Sequence, residues 1–195
     1  MENLCWPQRI YENLKEYATE EERAEIIRDY EKQTTPEEKA AWAKSAIEKL
    51  EALIPDVETR KAIMTKCCCV EYDELIKRLK NIYRENNDLD KLLEQTYRNP
   101  FYVRPRREGN KIYFTKIPQQ KEEYDQATTD REKRAFYCHC EYAKGAEGDI
   151  SVTHCYCGAG WYKRIMEGIL ERPVRVDINK SVMRGDDICE IVVII

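Results

Sequence analysis

Two pairs of cysteines in the C-terminal half of the chain could serve as metal ligands. Cys138 and Cys140 form one pair, Cys155 and Cys157 form the other, and one residue separates the members of each pair. Side chains two residues apart on a strand project from the same face, so both members can reach one ion. Thiolate sulfur is a preferred ligand of zinc, which takes four ligands in a tetrahedron. The spacing therefore predicts a zinc site built from both pairs.

The same residues also fit thiol catalysis or simple burial. A helix is predicted over residues 158–170, and the backbone amides at its start favour a thiolate at Cys157 or Cys155. His139 or His154 could then act as the base for such a nucleophile. Unpaired cysteines also pack in protein cores as small hydrophobic residues. Metal binding, thiol catalysis and buried thiols are all left open at this point.

A run of three cysteines lies in the N-terminal half, at Cys67, Cys68 and Cys69. Successive helical residues are rotated by about 100°, so three neighbours on a regular helix cannot all bind one ion. Cys67 and Cys68 continue the apolar face that Ile63 and Met64 begin, and we expect them in the core. Cys69, at the expected helix end, is the one that could approach the C-terminal cysteines.

Residues 1–99 carry the pattern of a helical bundle. Apolar residues recur at three- and four-residue spacings, as at Leu75, Ile76 and Leu79, which places them on one face of a helix. Thr35 and Pro36, followed by Glu38, have the composition of a helix start with a capping box. We expect four to six helices that pack together as a bundle.

Residues 100–195 read as a cysteine-rich α+β domain. The helix over 158–170 lies between segments with strand patterns, and residues 183–187 read as a hairpin turn. The fold class predicted for the whole chain is therefore α+β, an N-terminal helical bundle followed by a small antiparallel-sheet domain. The predicted strands are residues 111–117, 135–142, 173–178 and 188–195.

Composition limits the classes of function. The 195 residues are 42% hydrophobic and 36% charged with a net charge of −4, which is typical of a globular protein and not of a polycationic nucleic-acid binder. The longest apolar run has the length of one short strand, so we expect no signal peptide and no membrane span. A cytoplasmic location follows as an expectation, and there thiols stay reduced.

Residues 135–195 resemble a known family of small domains. The segments that carry the resemblance are Cys155-Tyr-Cys-Gly-Ala-Gly-Trp161, Glu167 to Val176, and Ser181 with the hairpin Gly185-Asp-Asp-x-Cys189. They resemble the 4-vinyl-reductase-like domain and the related L-2-amino-thiazoline-4-carboxylic acid hydrolase family. The resemblance implies an α+β domain that binds small organic molecules, in some members with a zinc ion held by cysteines and one acidic residue.

The resemblance also implies particular site residues. Cys189 matches one zinc ligand of the family, and Cys155 or Cys157 matches another. The two remaining ligand positions fall on Ile178 and Ser181, which are poor zinc ligands, so the first cysteine pair would have to replace them. The hydrolase likeness would instead make a cysteine near residue 155 the active group. The candidate metal ligands are thus Cys138, Cys140, Cys155, Cys157 and Cys189.

These observations lead to three expectations about function. The first is a cytoplasmic zinc-binding protein that also binds a small organic ligand. The second is a thiol-dependent hydrolase of a small cyclic or amide substrate, and the third is an interaction module with buried cysteines. Neither nucleic acid nor a membrane is an expected partner, and a homodimer is left open.

Overall fold

The computed structural model describes residues 4–68, 73–97, 103–148 and 150–195. Within these ranges the chain forms helices first and an antiparallel sheet afterwards, which confirms the predicted α+β class. Six α-helices precede the first strand. They are α1 (Trp6–Asn13), α2 (Glu20–Ile27), α3 (Pro36–Leu53), α4 (Val57–Lys66), α5 (Asp73–Asn86) and α6 (Leu89–Tyr97).

The second part of the chain combines the strands with four more helices. Short 3-10 turns occur at Val152–Cys155 and Val182–Arg184 in this second part, and another lies at Tyr30–Lys32 between α2 and α3. The elements of this part are β1 (Arg106–Glu108), β2 (Lys111–Thr115), α7 (Lys121–Gln126), α8 (Asp130–Tyr137), α9 (Glu141–Lys144), α10 (Tyr156–Leu170), β3 (Arg175–Lys180) and β4 (Glu190–Ile194).

The sheet has the order β1-β2-β4-β3, and every neighbouring pair is antiparallel. Strand β4 lies between β2 and β3, and its first four residues are buried, as expected of a central strand. Ile112 pairs with Val193 and Phe114 with Ile191, so alternate residues of β2 face the core. The predicted strands at β2, β3 and β4 are confirmed.

The strand predicted for residues 135–142 is wrong. Helix α8 occupies the first part of this segment, and its start is fixed by a capping box between Thr129 and Glu132. Cys138 follows the last residue of α8, and Cys140 precedes the first residue of α9. The two cysteines therefore lie in the turn between two helices and do not share a strand face.

One buried apolar cluster joins residues from both predicted parts. It includes Met64 of α4 and Leu79 of α5 together with Met166 of α10 and Val193 of β4. Gly160 permits a close crossing of α10 and α4, because a Cβ there would lie 1.9 Å from the carbonyl oxygen of Thr65. The predicted boundary between residues 99 and 100 falls outside the described residues.

Two of the three neighbouring N-terminal cysteines lie within the described residues. Cys67 and Cys68 are buried, and Cys67 belongs to the shared apolar cluster. Cys69 lies outside the described residues. No helix within the described ranges is long and apolar enough to span a membrane.

Candidate functional site

Three of the five predicted metal ligands pack against one apolar cluster. Cys138, Cys155 and Cys189 contact buried residues that include Met183. The Sγ of Cys155 lies 3.7 Å from the hydroxyl oxygen of Ser181, and the Sγ of Cys138 lies 4.0 Å from the sulfur of Met183. Ser181, one of the two positions that the resemblance identified as poor zinc ligands, is therefore within hydrogen-bonding distance of Cys155.

Burial keeps these three thiols protonated. Burial, with a smaller contribution from the neighbouring Cys189 thiol, raises the pKa of Cys155 to about 12, although the Ser181 hydroxyl opposes the change. Burial is also the main cause of the raised pKa of Cys138 and of Cys189. A protonated thiol is a poor nucleophile. In the observed arrangement these three cysteines pack against the apolar cluster, and a metal ion could bind them only by displacing their protons.

The fourth predicted ligand, Cys140, is exposed and contacts a buried histidine. Its Sγ lies 3.4 Å from Nε2 of His154, which is only 3% exposed. Cys140 sits in the turn before α9, and His154 belongs to the 3-10 turn Val152–Cys155. A thiol in hydrogen-bonding contact with an imidazole is the arrangement that thiol catalysis requires.

His154 is held among aromatic rings and stays neutral. The ring of Trp6 packs against it edge to face, with 4.7 Å between ring centroids. Burial lowers the pKa of His154 to about 4, so the imidazole is unprotonated at neutral pH. Within the described part of the chain, Nδ1 has no hydrogen-bond partner. The ring proton on Nδ1 would leave Nε2 free to accept the Cys140 proton.

Helix α3 positions both elements of this pair. The carboxylate of Glu51 accepts hydrogen bonds from the hydroxyl groups of Ser151 and Thr153, each at 2.6 Å, and so fixes the turn that carries His154. Lys39 forms an ion pair of 2.5 Å with Glu141, the first residue of α9. The N-terminal helices therefore hold both parts of the thiol–imidazole pair.

The remaining predicted site residues lie elsewhere. The Sγ of Cys157 donates to the backbone oxygen of Cys67 at 3.4 Å, and Nε2 of His139 lies 3.0 Å from the backbone oxygen of Ile117. The described residues contain no group of three or more histidine, cysteine or acidic side chains placed to hold a metal ion. As placed, these side chains do not form a zinc ligand set, and zinc stays a prediction.

The pairing of Cys140 with His154 is the feature that sequence reasoning missed. The sequence suggested His154 as a base for Cys155 or Cys157, its neighbours along the chain. The observed contact spans fourteen residues and depends on the turn between α8 and α9. No local spacing signals that contact, although the capping box at Thr129 would have revealed the helix that creates the turn.

Comparison with known proteins places the N-terminal part in a family. Residues 5–103 match the model of DUF6144, described as a family of unknown function. The chain belongs to the DUF6144 family. The match includes Trp6 and Glu51, which contact or position the histidine, whereas Cys140 and His154 lie beyond it. No curated protein and no solved structure matches the chain.

Proposed function

We propose that this DUF6144 family member is a thiol-dependent hydrolase of a small amide or cyclic substrate. Cys140 is the nucleophile in this proposal, and His154 accepts its proton. The observation that carries the proposal is the 3.4 Å contact between an exposed thiol and a buried imidazole. The exposed sulfur can meet a substrate, and the neutral ring can accept the thiol proton. Because burial disfavours the imidazolium, His154 holds this proton only until the leaving group takes it.

The proposed reaction follows from the position of the proton. As Sγ attacks the substrate carbonyl carbon, the thiol proton moves to Nε2 of His154. The imidazolium then returns this proton to the leaving nitrogen when the carbon–nitrogen bond breaks. Water hydrolyses the resulting thioester and regenerates the thiol.

The resemblance of residues 135–195 to the L-2-amino-thiazoline-4-carboxylic acid hydrolase family supports the same class of reaction. That resemblance suggested an active cysteine near residue 155, and our proposal assigns the role to Cys140 because Cys155 has a raised pKa. A cytoplasmic, reducing setting is part of the proposal, since the Cys140 thiol must stay reduced.

The zinc prediction is the second candidate, favoured by the grouping of four predicted ligands. Cys138, Cys140, Cys155 and Cys189 are close enough to affect one another's ionisation. Thiolate ligands suit zinc, but binding would require the protonated thiols to ionise and the side chains to rearrange. A bound small organic ligand belongs to this candidate as well.

Acylation by p-nitrophenyl acetate tests the hydrolase proposal. We expect the acetyl group on Cys140, found by peptide mapping, and no acetylation at that position in Cys140→Ser. Acylation of His154→Gln should be slower by about 100-fold, because a positioned base contributes at least that much. Cys155→Ser is the matched control, and its acylation should keep the wild-type rate.

Two results would contradict the proposal. One is an equal acylation rate in the wild type and His154→Gln. The other is stoichiometric zinc in protein purified without added metal, lost in both Cys138→Ser and Cys155→Ser, which would establish the metal site instead. If Cys140 resisted alkylation until the protein was unfolded, this result would favour the interaction module with buried cysteines.

A further inference from the structure

A small cavity lies between α5, α6, α10 and β2. Its volume is about 60 Å³, and neither Cys140 nor His154 lines it. The side chains that define it come from all four elements: Leu79 from α5, Leu92 from α6, Phe114 from β2, and Trp161 and Met166 from α10. The cavity therefore sits where the N-terminal helices meet the sheet and α10.

The lining makes this cavity suited to an apolar group. Aliphatic and aromatic side chains provide almost all of its walls. Apolar cavities of this kind stay dry and can bind small hydrocarbons, and each water-sized volume corresponds to roughly 10–15 Å³. A volume of about 60 Å³ is well below the roughly 150 Å³ of a cavity that binds benzene, so it fits a small branched alkyl group of about three carbon atoms.

Arg78 of α5 gives the cavity one charged side. Its side chain lines the cavity and is also exposed to solvent. Arg78 has no ion pair or side-chain hydrogen bond within the described part of the chain, whereas Lys80 and Arg84 on the same helix both pair with Glu171. Among the described residues, none of those lining the cavity is acidic. An arginine fork in this position is suited to a carboxylate.

We infer that this cavity binds a small monocarboxylate. The apolar group lies against Leu79, Phe114 and Trp161, and the carboxylate pairs with Arg78. The inference is independent of the hydrolase proposal, because the two sites share no residue.

The test compares isobutyrate with isobutyramide, which has the same branched alkyl group and no charge. Binding is followed by the indole N–H resonances of the protein, with Trp161 assigned through Trp161→Phe. We expect isobutyrate to shift the Trp161 resonance and to bind about threefold to tenfold more tightly than the amide. In Arg78→Met this preference should disappear while the amide affinity stays the same. Lys77→Met, an exposed change on the same helix outside the cavity, should keep it.

Arg78 is exposed, so its replacement should leave the fold intact, and a change in binding then reports on the contact between Arg78 and the carboxylate. Equal affinity of the two compounds for the wild type would overturn the inference. So would loss of the preference in both variants, or a shift confined to Trp6 and Trp42. Added salt should reduce the preference for isobutyrate, since the Arg78 pair is solvent-exposed and therefore screened.

Discussion

His154 makes the stability of the protein sensitive to acid. Its pKa is about 4 in the folded protein against about 6.5 when exposed, so the unfolded chain binds the extra proton first as the pH falls. The folded state is therefore destabilised between pH 6.5 and pH 4, by about 3 kcal/mol in total. We expect urea unfolding to show this loss in the wild type and a smaller one in His154→Gln.

The second histidine provides the control for this measurement. His139 is exposed, and we expect His139→Gln to keep the wild-type dependence on pH. The readout is the change in unfolding free energy with pH, so a uniform destabilisation by either substitution does not affect it. An identical acid dependence in the wild type and His154→Gln would show that His154 is not held neutral by the fold.

Individual cysteines should differ in how readily iodoacetamide alkylates them. Cys140 is exposed, whereas burial raises the pKa of Cys138 and Cys155. We expect iodoacetamide at pH 8 to label Cys140 in the folded protein and to label the other two only after unfolding, because the thiolate is the reactive form. Peptide mapping by mass spectrometry measures each site separately. Faster labelling of Cys155 than of Cys140 would contradict this order.

Among the contacts between elements, the close crossing of α4 and α10 depends on a single glycine. A Cβ on Gly160 would meet the Thr65 backbone, which cannot move aside as a flexible side chain can. Gly160→Ala should therefore destabilise the protein by about 3 kcal/mol or more, as in other overpacked cores. Thermal unfolding followed by circular dichroism measures the effect. Gly148→Ala, where a Cβ has open space, should change stability little, and an equal effect of both substitutions would contradict the crossing.

The sequence predicts the N-terminal helices and three of the four described strands, but it misses β1 and fails at the segment that shapes the site. Apolar spacing and the capping residues Thr35 and Glu38 correctly predict the N-terminal helices, and alternation predicts β2, β3 and β4. Cysteines and aromatic residues in the segment 135–142 also suit a strand, so the pattern there misleads. Tertiary contacts decide the rest, because Glu51 on α3 fixes the turn of His154 across a separation of about 100 residues, which no local pattern records.

At the scale of the whole molecule, ion pairs and a shared apolar core join the N-terminal helices to α10 and the sheet. Lys61 of α4 pairs with Asp177 of β3 at 3.1 Å, and the hydroxyl of Tyr156 on α10 donates to the same carboxylate. Arg164 on α10 pairs with Asp73 on α5 at 2.8 Å. The shared apolar cluster contains residues of both parts, so separating the two parts would expose apolar surface on both. Burial of that surface makes the larger contribution, since exposed ion pairs contribute at most about 1 kcal/mol each.

This shared core predicts that the chain unfolds in one cooperative transition. Trp6 and Trp42 lie in the N-terminal part and Trp161 lies on α10, so fluorescence can report on each part separately. We expect a Trp161→Phe protein and a Trp6→Phe/Trp42→Phe protein to unfold in single urea transitions, each coincident with the helical circular dichroism signal of the same protein. Two independent domains would instead give separate midpoints within one protein. Such a result would mean that the contacts of α10 with α4 and α5 contribute little to folding, and that the helices holding the Cys140–His154 turn could melt without disturbing the sheet.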